Sequence, residues 1–258
     1  MPERARRPCS GSLGRVFDHV GTRFSDFAAA ERFYRTVLSA LGVEPSYAGA
    51  DMVGWDDWWI GPTDSEHPVT RGLHIGFRDR DRAQVDAFWQ AGVDAGYRED
   101  GASLLDPGGN TVEAVHDERE NAVRDGCIDH LWLRVRDPQA SKRFYIAIAP
   151  HAGLRLTHDE PDRVQLSGPG YSFTLVRDQR PHAEHVHIAF PAREDATVRA
   201  FHAAALAAGY EDHGAPGERA VYHPGYYAAF VLDPDGHNIE VVNHNQGPSE
   251  RAREDSNL

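Results

Sequence analysis

Two histidines and one glutamate, residue types that bind metals, occur in corresponding positions in each half of this sequence. The second half contributes His130, His187 and Glu240, and the first half contributes His19, His74 and Glu113. Each lies in a short alternating segment, and because successive side chains of a strand point to opposite faces, we expect all six on uncovered strand faces. Two histidines and one carboxylate on one open face form a facial ligand set with free coordination positions. The sequence therefore predicts one such site in each half.

The elements that position these residues are repeated along the chain. Asp26 and Gly42 recur 111 residues later as Asp137 and Gly153, within segments of matching pattern. The interval is 113 residues for the second histidine of each set and 127 for the glutamates. Such self-similarity indicates a duplication. The second copy carries about fourteen extra residues before its last hairpin.

Each copy also repeats the order strand, helix, strands. Residues 16–23 predict a strand, Asp26 predicts a helix N-cap, and Gly42 predicts the end of that helix, whose apolar residues recur at spacings of three and four. A strand at His74, a helix from Asp81 and a final hairpin repeat this order. The predicted fold is α+β, with four βαβββ modules in curved, mostly antiparallel sheets and helices on the outer face.

The duplication predicts how the chain is divided. Residues 14–117 form the first predicted domain and residues 127–245 the second, joined by a charged linker at 118–126. The polar composition of residues 246–258 predicts a disordered tail.

Composition excludes several classes of partner. The formal net charge is −13, so we expect no nucleic-acid partner. No apolar run approaches the roughly 20 residues of a membrane span, and the start of the chain does not resemble a secretion signal, so a cytoplasmic location without membrane association is expected. The chain has 2 cysteines, which we interpret as reduced thiols, so a metal would be bound through nitrogen and oxygen.

These features resemble the vicinal oxygen chelate superfamily, which includes glyoxalases, extradiol ring-cleaving dioxygenases and bleomycin-resistance proteins built from paired βαβββ modules. The likeness extends from Val16 to Asn243, and the Leu-Asp-Pro-x-Gly turn at 105–109 and 232–236 is a family hallmark. The resemblance implies two tandem domains of this type and a small-molecule substrate, and it is compatible with a homodimer. It also implies a divalent metal on the second-half ligand set and a further metal on the first-half set.

The second copy resembles extradiol dioxygenases further. His223, the turn at 233–236 and Glu240 follow the order of the family pattern, but Phe230 stands where that pattern has a tyrosine. The implied roles are acid–base partner for His223 and a hydroxyl supplied by Tyr226 or Tyr227. The resemblance favours Fe(II) or Mn(II), with Zn(II) or Ni(II) as alternatives.

Three functions remain open at this point. The first is an extradiol-type dioxygenase that binds two vicinal oxygens of its substrate, and the second is a glyoxalase-type lyase or isomerase that uses the metal as a Lewis acid. The third is a metal-free drug-binding protein. We expect activity in the second copy, because only that copy carries the extra segment with His223, Tyr226 and Tyr227.

Overall fold

A computed structural model describes residues 17–116, 126–168 and 171–245. The predicted tail and nearly all of the predicted linker lie outside these residues. Module 1 comprises β1 (His19–Phe24), α1 (Phe27–Ala40), β2 (Tyr47–Ala48), β3 (Val53–Trp55) and β4 (Trp58–Pro62). Module 2 comprises β5 (His74–Asp79), α2 (Arg82–Asp94), β6 (Arg98–Asp100), β7 (Ser103–Leu105) and β8 (Thr111–His116).

The second copy repeats this order. Module 3 comprises β9 (Ile128–Arg134), α3 (Pro138–Ala152), β10 (Arg155–Glu160), β11 (Arg163–Gly168) and β12 (Tyr171–Val176). Module 4 comprises β13 (His187–Pro191), α4 (Asp195–Ala207), β14 (Glu211–Glu218), β15 (Tyr227–Leu232) and β16 (Asn238–Asn243). The predicted α+β fold of four βαβββ modules is confirmed. Within the described ranges, no helix has the length and apolar character of a membrane span.

Aspartate side chains cap three of the four described helices, α1, α2 and α3, as predicted. The side chains of Asp26, Asp81 and Asp137 each accept a hydrogen bond from a backbone N–H of the first helical turn. These bonds satisfy amide groups that have no partner within a helix. After α1 and α3, Gly42 and Gly153 adopt positive φ angles of 68° and 66°, a conformation that glycine adopts without strain.

The strands form two eight-stranded sheets, and each sheet combines strands from both copies of the sequence repeat. Sheet 1 has the order β14-β15-β16-β13-β1-β4-β3-β2, so it joins module 4 to module 1. Sheet 2 has the order β10-β11-β12-β9-β5-β8-β7-β6, so it joins module 3 to module 2. The joining pairs, β1 with β13 and β5 with β9, are antiparallel. The predicted boundaries at 14–117 and 127–245 describe the sequence repeat, whereas each sheet combines one module from each copy.

Buried hydrogen bonds between a helix and a turn hold the last strand of modules 2 and 4 in place. In module 4, Tyr145 of α3 donates to Asp233 at 3.0 Å, and Asp233 also accepts from the backbone N–H groups of Asp235 and His237. In module 2, Tyr34 of α1 donates to Asp106 at 2.9 Å. These aspartates begin the turns that lead into β16 and β8. The helices thereby position the strands that carry the two glutamates.

Candidate metal centres

Three neighbouring strands of sheet 1 bring His19, His187 and Glu240 together, and we call this cluster site 1. In the register of the sheet, Ala189 of β13 lies opposite both His19 of β1 and Glu240 of β16. His187 lies two residues before Ala189 and therefore on the same face. The His187 Nε2 atom is 3.1 Å from His19 Nε2 and 3.0 Å from Glu240 Oε2, and His19 Nε2 is 3.6 Å from Glu240 Oε2.

Sheet 2 repeats this arrangement with His74, Glu113 and His130, which we call site 2. Gly76 of β5 lies opposite both His130 of β9 and Glu113 of β8. The two Nε2 atoms of the histidines are 3.0 Å apart. They are 3.4 Å (His74) and 3.2 Å (His130) from Glu113 Oε1.

The grouping of the first-strand histidines differs from the one expected from the sequence. All six predicted ligands lie in the two clusters, but His19 joins the second-copy residues His187 and Glu240, and His130 joins the first-copy residues His74 and Glu113. The expected sets of His130 with His187 and Glu240, and of His19 with His74 and Glu113, are therefore corrected. The reason is the sheet order, in which β1 pairs with β13 and β9 pairs with β5.

The donor atoms of both sites suit a divalent cation. In each site they lie within 4.8 Å of one another. Ligands about 2.1 Å from a metal are about 3.0 Å apart in octahedral geometry and about 3.4 Å apart in tetrahedral geometry, close to the separations in both sites. In site 1, His19 Nδ1 lies 2.9 Å from Asp18 Oδ1, so Nδ1 carries a proton and Nε2 is the ring atom that a metal would use. Burial lowers the pKa of His19, but the hydrogen bond to Asp18 and the charge of Glu240 outweigh burial and raise it. Lone pairs that face one another at this distance repel unless a proton or a cation lies between them.

Site 1 combines a buried carboxylate with two partly exposed histidines. The side chain of Glu240 is 1% exposed, against 19% for His19 and 25% for His187. Burial lowers the pKa of His187, outweighing its hydrogen bond to Glu240, so this imidazole is held neutral, as a metal ligand must be. Burial also raises the pKa of Asp18, but hydrogen bonds from His19 and His244 outweigh that effect and hold it well below its usual range.

Site 2 favours the charged forms of His130 and Glu113 when no metal is bound. Burial lowers the pKa of His130, but hydrogen bonds to Asp129 and Glu113 outweigh burial and raise it to about 9. Burial likewise raises the pKa of Glu113, and hydrogen bonds with His130 and His74 outweigh it and hold that pKa well below its usual range. A metal at site 2 must therefore displace a proton from His130.

The segment between β14 and β15, which we call loop 219–226, lies beside site 1. Tyr226 donates from its hydroxyl to Glu240 Oε1 at 2.6 Å. Burial and the charge of Glu240 raise the pKa of Tyr226 far above its usual range, so the hydroxyl stays protonated. His223 reaches site 1 through His244, whose Nδ1 atom is 2.8 Å from His223 Nε2 and whose Nε2 atom is 2.9 Å from Asp18 Oδ2.

Tyr227, the other predicted hydroxyl donor, lies away from site 1. Its hydroxyl accepts a hydrogen bond from Arg199 of α4 at 3.3 Å, and its ring packs against the helix-covered core. Tyr226 is the last residue of the loop before β15, so the alternation of the strand, which begins at Tyr227, does not set its direction. The structure brings Tyr226 to site 1 and places Tyr227 on the helix side.

Two residues near site 1, Arg23 and His244, were not predicted from the sequence. Arg23 donates to the carbonyl of Pro62 at 3.4 Å and forms no ion pair within the described part of the chain. Its charge contributes to lowering the pKa of His187, as expected for a cation near site 1. The alternation of His19, Gly21 and Arg23 could have revealed that Arg23 shares the open face of β1. His244 follows the end of β16, where the alternation of strand residues no longer predicts the direction of a side chain.

The two sites differ at corresponding positions. Trp132 lies two residues after His130, and its ring centroid is 5.3 Å from that of His74, whereas site 1 has Gly21 at the corresponding position. Arg134, the counterpart of Arg23, is 3% exposed and forms an ion pair with Asp178 at 3.1 Å. Site 1 therefore has an arginine without a carboxylate partner among the described residues and a less crowded open face.

Four βαβββ modules with histidine and glutamate clusters on their open faces are the architecture of vicinal oxygen chelate proteins. Residues 127–241 match the family model of the Glyoxalase/Bleomycin resistance protein/Dioxygenase superfamily. The resemblance drawn from the sequence is thereby confirmed for this part of the chain. No curated protein matches the chain.

Solved structures share the fold over nearly the whole chain. Glyoxalase I from Zea mays is 17% identical, with a TM-score of 0.57, and the match covers 92% of this chain and 94% of that chain. A protein from Bacillus subtilis that is provisionally assigned as a dioxygenase is 14% identical, with a TM-score of 0.60 and coverage of 94% and 96%. At these identities the similarity shows the fold alone.

Proposed function

We propose that the protein is a divalent-metal-dependent enzyme acting on a small molecule with vicinal oxygens, and that the reaction takes place at site 1. The observation that carries this proposal is the convergence of the electron-pair donors of His19, His187 and Glu240 from three adjacent strands. Ligands on stiff strands lose little conformational freedom when a metal binds. The facing nitrogens of the two imidazoles and the oxygen of the buried carboxylate need a proton or a cation between them.

Two histidines and one carboxylate with open positions favour Fe(II) or Mn(II), and Zn(II) or Ni(II) are the alternatives for this donor set. When bound, the metal would supply Lewis-acid activation of two neighbouring substrate oxygens. Asp18 orients the first ligand by accepting from His19 Nδ1, and Tyr226 orients the carboxylate by donating to Glu240. Such partners of metal ligands set both their tautomer and their direction.

The remaining residues around site 1 would bind the substrate and move protons. Arg23 would attract an anionic group of the substrate, because its charge is not neutralised by a carboxylate among the residues described. His223 would serve as the acid–base partner, held in place by His244. Tyr222 of loop 219–226 is 59% exposed and its ring lies 4.8 Å from that of Tyr226, so it offers an aromatic surface at the rim of the site.

Oxygen-dependent ring cleavage of the extradiol type is the reaction we favour, because the ligand set and the His223 network match what such chemistry needs. A glyoxalase-type lyase or isomerase reaction is the second candidate. It is favoured by Phe230, which stands opposite Glu240 on β15 without a hydroxyl, and by Tyr226, whose hydroxyl is already engaged by the carboxylate. A metal-free drug-binding function would not require converging ligands and is disfavoured for that reason.

Oxygen uptake separates the two enzymatic candidates. Protein prepared anaerobically and loaded with Fe(II) should consume oxygen with a panel of catechol-like substrates, and His187→Ala should abolish this consumption. His74→Ala is the matched control, because it removes the corresponding ligand of site 2 and should leave oxygen uptake intact. No uptake with any catechol, together with Zn(II)- or Ni(II)-supported turnover of an α-hydroxyketone or thioester, would establish the lyase or isomerase class instead. Failure of the protein to bind any of these metals would contradict both.

A further inference from the structure

A second pair of histidines lies beside site 1 and outside its ligand set. His223 Nε2 is 2.8 Å from His244 Nδ1, and the two ring planes differ by 16°. On the far sides of the pair, His223 Nδ1 is 2.8 Å from the carbonyl oxygen of Pro224, and His244 Nε2 is 2.9 Å from Asp18 Oδ2. All four ring nitrogens therefore take part in three short contacts.

The atoms in these contacts determine how many protons the pair holds. The carbonyl of Pro224 and the carboxylate of Asp18 only accept hydrogen bonds, so each needs an N–H. The contact between the facing nitrogens needs a third N–H, because two lone pairs 2.8 Å apart repel. Two neutral imidazoles carry one N–H each. We infer that His223 and His244 together hold one extra proton and one positive charge, shared across their facing nitrogens and balanced by Asp18.

The surroundings of the pair favour this charge. Asp18, next to β1, provides the anion that accepts from His244. The ring of Tyr226 lies 5.3 Å from that of His223 and 5.2 Å from that of His244, and its hydroxyl donates to the buried Glu240. Asp18 also accepts from His19. Hydrogen bonds thus run without a break from His223 to the metal ligand of β1.

This arrangement gives His244 a role that no sequence pattern indicated. As a positioning residue, His244 holds the shared proton against His223 Nε2, so that His223 has a proton to give beside site 1. The use of that proton in the reaction rests on the proposed function, whereas the shared charge does not. The charge can therefore be tested on metal-free protein without substrate.

The test is side-chain ¹⁵N NMR of His223 and His244 in the full-length, metal-free protein at neutral pH. In the wild type, the ¹⁵N shifts and N–H couplings should show three protons on the four ring nitrogens, with His223 Nδ1 and His244 Nε2 both protonated. His244→Phe removes the ring nitrogen that faces His223 and should leave a single proton on the His223 ring. His244→Asn places a carbonyl oxygen near the former Nδ1 position and should restore the second proton of His223.

A control variant and a check of folding accompany this test. His158→Phe changes a histidine on β10, in the other sheet, and should leave the His223 signals unchanged, while melting curves show that each variant is folded. A wild type with only two protons on the pair, or a His223 ring that keeps the same protons in His244→Phe, would overturn the inference. A third proton in a protein that binds no metal would sustain the inference and overturn the proposed function alone.

Discussion

Replacing Gly76 with alanine should disable site 2 while leaving site 1 intact. A Cβ atom at Gly76 would lie 2.5 Å from His130 Nδ1 and 2.8 Å from His130 Nε2. Ordinary contacts between such atoms begin near 3.5 Å, so the His130 ring must move by about 1 Å. Metal ligands tolerate deviations of only about 0.2 Å. The strand itself should not suffer, because alanine is better tolerated than glycine in a strand by about 0.5–1 kcal/mol.

The size of the effect follows from losing one well-placed ligand of three. Disturbing even the partners of metal ligands costs about 10–100-fold in affinity, so a displaced ligand should cost at least that much, or about 1.4–2.8 kcal/mol. Calorimetric titration of metal-free protein with Zn(II) should show two tight equivalents for the wild type and one for Gly76→Ala. The matched control is Ala189→Gly, which changes the corresponding residue of site 1 and should keep both equivalents. Two equivalents of unchanged affinity in Gly76→Ala would refute the assignment of His130 to site 2.

Three further outcomes are expected. Tyr226→Phe leaves an oxygen of the buried Glu240 without its donor and should destabilise the metal-free protein by about 1–3 kcal/mol in denaturant unfolding; unchanged stability would contradict this role. The pKa of His130 is raised to about 9 from about 6.5 in an unfolded chain. The stability that protonated His130 contributes to the fold is therefore complete below about pH 6.5 and is lost as the pH rises through 9. The melting temperature of metal-free protein should therefore fall from pH 7 to pH 10, and His130→Gln should flatten that fall. His237→Asn should raise stability by about 1 kcal/mol, since the buried His237 Nε2 has no hydrogen-bond partner among the described residues, whereas the corresponding Asn110 amide donates to Asp106.

The sequence predicts the modules well because their signals are local. Helix caps at Asp26 and Asp137 and glycines at helix ends depend only on neighbouring residues, and the structure contains them. Alternation along each strand likewise indicates which side chains share a face. All six predicted ligands therefore lie in clusters of two histidines and one glutamate.

The partners of the modules could not be predicted in the same way. A duplicated sequence offers the same first strand twice, so β1 and β9 are nearly equivalent candidates to pair with β13. The choice depends on long-range packing that periodicity does not describe. Tyr226 and Tyr227 stayed alternatives because β15 begins at Tyr227, and the alternation of a strand does not define the direction of a loop residue such as Tyr226. The contact of His244 with Asp18 spans 226 positions and has no local signature.

The central claim is that each metal centre combines ligands from both copies, and paired substitutions test it most directly. His19→Ala together with His187→Ala removes two ligands of site 1 and none of site 2, so the double variant should still bind one equivalent of metal. His130→Ala together with His187→Ala removes one ligand from each site and should bind none tightly. Elemental analysis of both double variants after metal loading and desalting gives the answer. If the first double variant binds no metal and the second retains one equivalent, the ligands are grouped within each copy and the account is contradicted.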